Sequence, residues 1–124
     1  MNGWTGTQLE VGLSRGNVKK SKADRRMYQT YLGGRGLITK MFWDRVPPET
    51  EPFSPDNLLI FGAGPLVGTA APGANRTNLV TRSPLTNYLT YTNMGGFWGP
   101  ELKFAGYDTV TVSGKSSSPV YIYI

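Results

Sequence analysis

Two short pieces of this chain carry groups suited to holding an anion: Arg76, and the run Asn93-Met94-Gly95-Gly96. A guanidinium donates paired hydrogen bonds to a phosphate or to the edge of a planar heterocycle. Glycines expose backbone N–H groups, and this pair stands between an expected strand and an expected helix, whose N-terminal end is partly positive. The run is not a P-loop, because Gly-Lys-Ser/Thr is missing, and it lacks the Gly-x-Gly-x-x-Gly dinucleotide spacing. Taken alone, the glycine pair reads first as a structural turn, and Arg76 fits an ordinary surface position equally well. Antiparallel pairing of the flanking segments, Thr77–Arg82 and Tyr88–Asn93, would bring Arg76 and Asn93 to one end of a hairpin.

Acid–base and nucleophilic chemistry find little support. Histidine and cysteine are both absent. That excludes Ser-His and Cys-His nucleophiles on this chain, along with Cys-ligated zinc or iron–sulfur centres. The eight carboxylates sit mostly in a proline-rich connection or at helix starts, and no pair is spaced for one site. Asp108 follows Gly106-Tyr107 and leads a strand, so a turn role is expected. Ala71–Asp108 therefore reads as a segment that grips something without reacting with it.

The elements around that segment follow from periodicity. Thr7–Leu13 alternates, with Leu9, Val11 and Leu13 on one face, and predicts a half-buried strand. Ser14-Arg15-Gly16-Asn17 is turn chemistry, and Val18–Lys22 returns as an edge strand guarded by lysines. Asp24 caps a helix from Arg25 to Leu32, whose stripe is Met27, Tyr28, Tyr31 and Leu32. Gly33-Gly34 ends it. A second helix, Leu37–Val46, presents Leu37, Ile38, Met41, Phe42 and Trp43, and Pro47-Pro48 stops it. Leu58–Ala63 predicts a fully buried strand. Pro65–Asn75 is a loop of small residues. A short helix runs from about Pro100 to Gly106. Thr109–Ser113 and Pro119–Ile124 predict two further strands. The pattern is one α+β domain over residues 1–124, with antiparallel or mixed sheets and two or three short helices.

Composition narrows the class. The chain has 124 residues, 16 glycines and 9 prolines, which favours short strands and many turns. Nine of its 13 basic residues precede residue 46, and the Lys19–Arg26 cluster fits a solvated face better than a nucleic-acid footprint. No apolar run reaches membrane-spanning length, and with that charge distribution neither nucleic acid nor membrane is an expected partner. Freedom from cysteine fits a cytoplasmic location.

Several motifs, in order, resemble one family. They are Tyr31-Leu32-Gly33-Gly34-Arg35-Gly36-Leu37, Ala63-Gly64-Pro65-Leu66-Val67-Gly68-Thr69, Arg76, Thr81-Arg82-Ser83-Pro84-Leu85-Thr86, Asn93-Met94-Gly95-Gly96 and Glu101-Leu102-Lys103-Phe104-Ala105-Gly106-Tyr107-Asp108. Together they resemble the N-terminal domain of the aldehyde:ferredoxin oxidoreductases, which are tungsten or molybdenum bis-pterin enzymes. The resemblance implies the first half of a two-half base domain under the metallopterin. It implies that Arg76, Gly95 and Gly96 contact the pterin and its phosphate. It also implies that the backbone carbonyl of Asn93 ligates a magnesium ion linking the pterin phosphates.

The same resemblance places the 4Fe-4S cysteines and the aldehyde pocket in later domains, and the second pterin half-site in the other half of this one, all absent from this chain. The chain is accordingly expected to be part of a longer protein and inactive by itself. The implied parent oxidises aldehydes to carboxylic acids and passes electrons to ferredoxin. Trp43-Asp44-Arg45-Val46-Pro47-Pro48-Glu49 and Gly95-Gly96-Phe97-Trp98 look like the branch holding the tungsten subunit of aromatic acyl-CoA reductases, the alternative within the family. A non-enzymatic fragment that forms a homodimer through its strands is the alternative outside it.

Overall fold

The computed structural model describes residues 3–124. Its frame is one six-stranded mixed sheet. The strands are β1 (Thr7–Gly12), β2 (Asn17–Lys22), β3 (Leu58–Ala63), β4 (Thr77–Arg82), β5 (Leu89–Met94) and β6 (Thr109–Ser113). Their spatial order is β2-β1-β6-β3-β4-β5. Only β1 and β6 run parallel; the other neighbours are antiparallel. β2 is an edge, as its lysines predict, and Lys19, Lys20 and Lys22 are exposed there. The opposite edge, β5, carries no charge.

Helices cover both faces. α1 (Arg25–Tyr31) and α2 (Gly34–Arg45) bury Tyr28, Leu37, Ile38, Met41 and Phe42 against Leu58, Ile60 and Val80. α3 (Trp98–Phe104) lies on the other face and buries Leu102 with Leu9, Val11, Val110 and Val112. Asp24 caps α1 as expected, its carboxylate accepting from the Arg26 N–H at 2.9 Å. α2 approaches β3 closely because Gly62 has no side chain: a Cβ there would meet Ile38 Cγ2 at 2.3 Å.

Four expectations need correction. Gly33-Gly34 does more than end α1, because Gly33 is the N-cap of α2 and Gly34 is its first residue. Both glycines pack against the β3 exit, where a Cβ on Gly33 would meet the Ala63 carbonyl at 3.2 Å. Tyr31, Leu32 and Trp43 are exposed rather than packed. α1 is too short to turn a full stripe inward, and Leu32 leaves it in a left-handed conformation (φ 63°). Leu59 and Phe61 of β3 are half-buried, since the short α3 covers that face incompletely. Pro119–Ile124 forms no strand. β6 already has β1 on one side and β3 on the other, so no ladder position beside it remains. Ile122, Tyr123 and Ile124 instead line a groove with Phe61, Trp98 and Leu102.

Candidate functional site

β4 and β5 form the expected antiparallel hairpin, with Thr77 opposite Met94 and Asn78 opposite Asn93. One step further along the same register, Arg76 stands opposite Gly95. A Cβ placed on Gly95 would lie 4.0 Å from Arg76 Nη1. Gly96 follows in a left-handed conformation (φ 78°) with nothing within 4 Å of its Cβ position. Arg76, Asn93, Gly95 and Gly96 are all exposed. The ion pairs among the described residues are Lys40–Asp44, Arg45–Glu10 and Lys103–Asp108, so no carboxylate neutralises Arg76.

The phase of the ladder decides where the Asn93 backbone points. The hairpin closes with Ser83 N–H donating to the Tyr88 carbonyl at 2.8 Å. Antiparallel ladders alternate, so Thr90, Thr92 and Met94 turn their backbone groups toward β4. Leu89, Tyr91 and Asn93 turn theirs outward, off the free edge. The Asn93 carbonyl thus points off the free edge of the sheet, away from β4, at the end of the hairpin that carries Arg76 and the glycine pair.

Packing behind the hairpin holds this end in place. Thr77 is fully buried. A Cβ on Gly99 of α3 would meet Thr77 Oγ1 at 2.2 Å and Val67 Cγ1 at 3.0 Å. Only glycine lets α3 press on the start of β4 and on the loop before it. The far end of α3 is tied by Asp108, which has no exposure. Its carboxylate accepts from Thr5 N–H (3.0 Å) and Gly6 N–H (2.8 Å) and pairs with Lys103. Lys103 also donates to the Gly3 carbonyl at 2.9 Å. Asp108 is therefore an internal fastener, not the simple turn residue its sequence context suggests.

One contact at this site has no sequence signal. The Arg35 guanidinium lies 4.5 Å from the centroid of the Tyr91 ring. Arg35 and Tyr91 are 56 positions apart in the chain, and only the packing of α2 on the hairpin brings them together. Among the described residues no group of three or more His, Cys, Asp or Glu side chains could hold a metal ion. What the site offers is a guanidinium, backbone N–H groups and a backbone carbonyl. That set can hold a phosphate and one hard cation bridged to it.

Comparison with known proteins bears on what is held. The family model described as aldehyde ferredoxin oxidoreductase, N-terminal domain, matches residues 8–124. The chain is 48% identical over 124 residues to the tungsten-containing aldehyde ferredoxin oxidoreductase of Pyrococcus furiosus. It is 45% identical over 124 residues to the enzyme of the same name from Pyrococcus horikoshii. Both comparisons cover all of this chain and 20% of the relative, so the chain spans about a fifth of the length of the curated relatives it matches. Among solved structures, it is similar to a chain of the active site complex BamBC of benzoyl coenzyme A reductase in complex with 1,5-dienoyl-CoA. That likeness has a TM-score of 0.97 and 54% identity, over 99% of this chain and 19% of the other.

Proposed function

The chain belongs to the aldehyde ferredoxin oxidoreductase family, matching its N-terminal domain, and on that footing we propose that it seats one arm of a tungsten or molybdenum bis-pterin. In this reading Arg76 and the N–H groups of Gly95 and Gly96 take the pterin phosphate. The Asn93 backbone carbonyl would be an oxygen ligand for a magnesium ion that offsets the phosphate charge. The observation that supports this most is the β4–β5 register, which sets Arg76 opposite Gly95. The ladder phase then leaves the Asn93 carbonyl free at the same end.

The donor set suits the group. Magnesium prefers hard oxygen ligands, and phosphate prefers N–H donors and guanidinium. When bound, the metallopterin supplies the two-electron redox step; this chain's residues bind and orient it. The metal needs no side chain from this chain if the pterin sulfurs hold it. A 4Fe-4S cluster would take its ligands from outside these residues, because the chain has no cysteine.

For the whole protein we propose oxidation of an aldehyde to a carboxylic acid, with electrons passed to ferredoxin. The rest of the parent enzyme is then the first partner of this domain. A second reading, the tungsten subunit of an aromatic acyl-CoA reductase, is favoured by one observation. Identity to the benzoyl coenzyme A reductase chain is 54%, against 48% to the Pyrococcus furiosus oxidoreductase. The proposed seat is the same in both.

The test is metallopterin uptake by the chain with magnesium present, read as pterin fluorescence after oxidation. Wild type should retain pterin and Arg76→Ala should lose most of it. Equal retention by both would remove Arg76 from the site.

A further inference from the structure

Arg35 stands exposed in the first turn of α2, and nothing in that turn offsets its charge. A cation there opposes the helix dipole, which favours negative charge at that end. α2 has no acidic residue in its first turn and no side-chain cap to offset it. No carboxylate pairs with Arg35 among the described residues. Its guanidinium is instead held against the Tyr91 ring. A guanidinium held over a ring face keeps N–H groups free to donate to an anion.

The sheet register says where that edge lies. Tyr91 and Asn93 are two residues apart on β5, so they share a face and stand about 7 Å apart along the strand. Their partners on that face are Val80 and Asn78. α2 covers this face, burying Val80. Its first turn ends against Asn78, where a Cβ on Gly34 would meet Nδ2 at 3.3 Å. Arg35 is thereby brought to the Asn93 end of the hairpin, the end that carries Arg76.

We propose that Arg35 is a second cationic contact for the phosphate that Arg76 receives, and that Tyr91 is its positioning residue. The proposal rests on the reading of Arg76 and Asn93–Gly96 as the cofactor seat. A phosphate monoester carries a charge between about −1.5 and −2 at neutral pH. One arginine leaves part of that charge unmatched, and two arginines on either side of Asn93 match it.

The test uses the full chain, inorganic phosphate with magnesium as the probe, and 15N NMR of the arginine Nε–H groups. In wild type both Arg35 and Arg76 resonances should shift on titration. Arg35→Ala should weaken binding about tenfold, the effect of one charged hydrogen-bonding partner. Arg35→Lys should recover part of the loss. Tyr91→Leu should weaken binding severalfold while Arg35 ceases to respond, although its charge remains.

Thermal melts of each variant separate binding from folding. If Arg35→Ala lowers Tm but titrates like wild type, Arg35 only braces β5 and the proposal fails. If Arg35→Ala binds like wild type while Arg76→Ala does not, the seat stands without Arg35. If Arg76→Ala has no effect, the seat itself is wrong. Absence of phosphate binding by wild type would overturn both.

Discussion

Replacing Asp108 with alanine removes the carboxylate that fastens the strand entering β1, the end of α3 and the start of β6. Asp108 has no exposure, and the Lys103 side chain is only 8% exposed. Two backbone N–H groups, on Thr5 and Gly6, would lose their acceptor. Each such bond to a charged group contributes about 1.5–3 kcal/mol. Thr5 is exposed, so water recovers part of that loss. Lys103 would be left buried beside only the Gly3 carbonyl. Breaking one side of a buried ion pair costs about 3–5 kcal/mol.

We expect Asp108→Ala to lose about 4 kcal/mol in urea unfolding followed by circular dichroism, and Tm to fall by about 15 °C. Lys103→Met combined with Asp108→Asn should be less damaging than Asp108→Ala, because no charge is then stranded. A loss below about 1 kcal/mol for Asp108→Ala, or strict additivity in the Lys103/Asp108 cycle, would refute the fastener reasoning.

Gly62→Ala would force a Cβ to 2.3 Å from Ile38 Cγ2, in a fully buried contact between β3 and α2. It should cost about 1–3 kcal/mol by urea titration, and unchanged stability would mean that α2 sits further from β3. Thr77→Val should go the other way. The Thr77 hydroxyl is buried without a hydrogen-bond partner, so an isosteric methyl should add about 1 kcal/mol; a loss would reveal a partner for the hydroxyl. Burial pushes the Tyr28 phenol up to about 12, with a bond from Gln8 opposing. The neutral form is therefore favoured in the folded state. That stability is complete below pH of about 10 and is lost as pH rises through about 12, up to about 3 kcal/mol. Tyr28→Phe should flatten this alkaline slope, and an identical slope in the variant would contradict it.

Much of the fold is legible in the residues because local signals and burial agree. Leu58–Ala63, Thr77–Arg82 and Thr109–Ser113 appear with the expected bounds, each stopped by glycine, proline or serine. Elsewhere the local signal competes with tertiary geometry. Gly33-Gly34 reads as a break, yet it opens α2. Gly33 and Gly34 both take positive φ (133° and 53°), which glycine adopts without strain, and the β3 exit leaves no room for a side chain. Pro119–Ile124 alternates like a strand but finds no free edge beside β6. The site divides in the same way. That Arg76 and Asn93 share an end follows from antiparallel pairing alone. The outward carbonyl of Asn93 depends on which residue pair closes the hairpin, here Ser83 and Tyr88, and residue types do not set that phase. The Arg35–Tyr91 contact needs α2 docked on the sheet, and no periodicity announces it.

The proposed seat puts a phosphate and its cation at the Arg76–Gly96 end of the hairpin. The most direct test replaces magnesium with Mn2+ in the presence of inorganic phosphate and reads paramagnetic broadening of backbone amides. Broadening should centre on Asn93, Gly95 and Gly96, and should be lost in Arg76→Ala. Broadening centred instead on the acidic connection around Glu49, Glu51 and Asp56, with Asn93–Gly96 untouched, would rule out a cation at that seat.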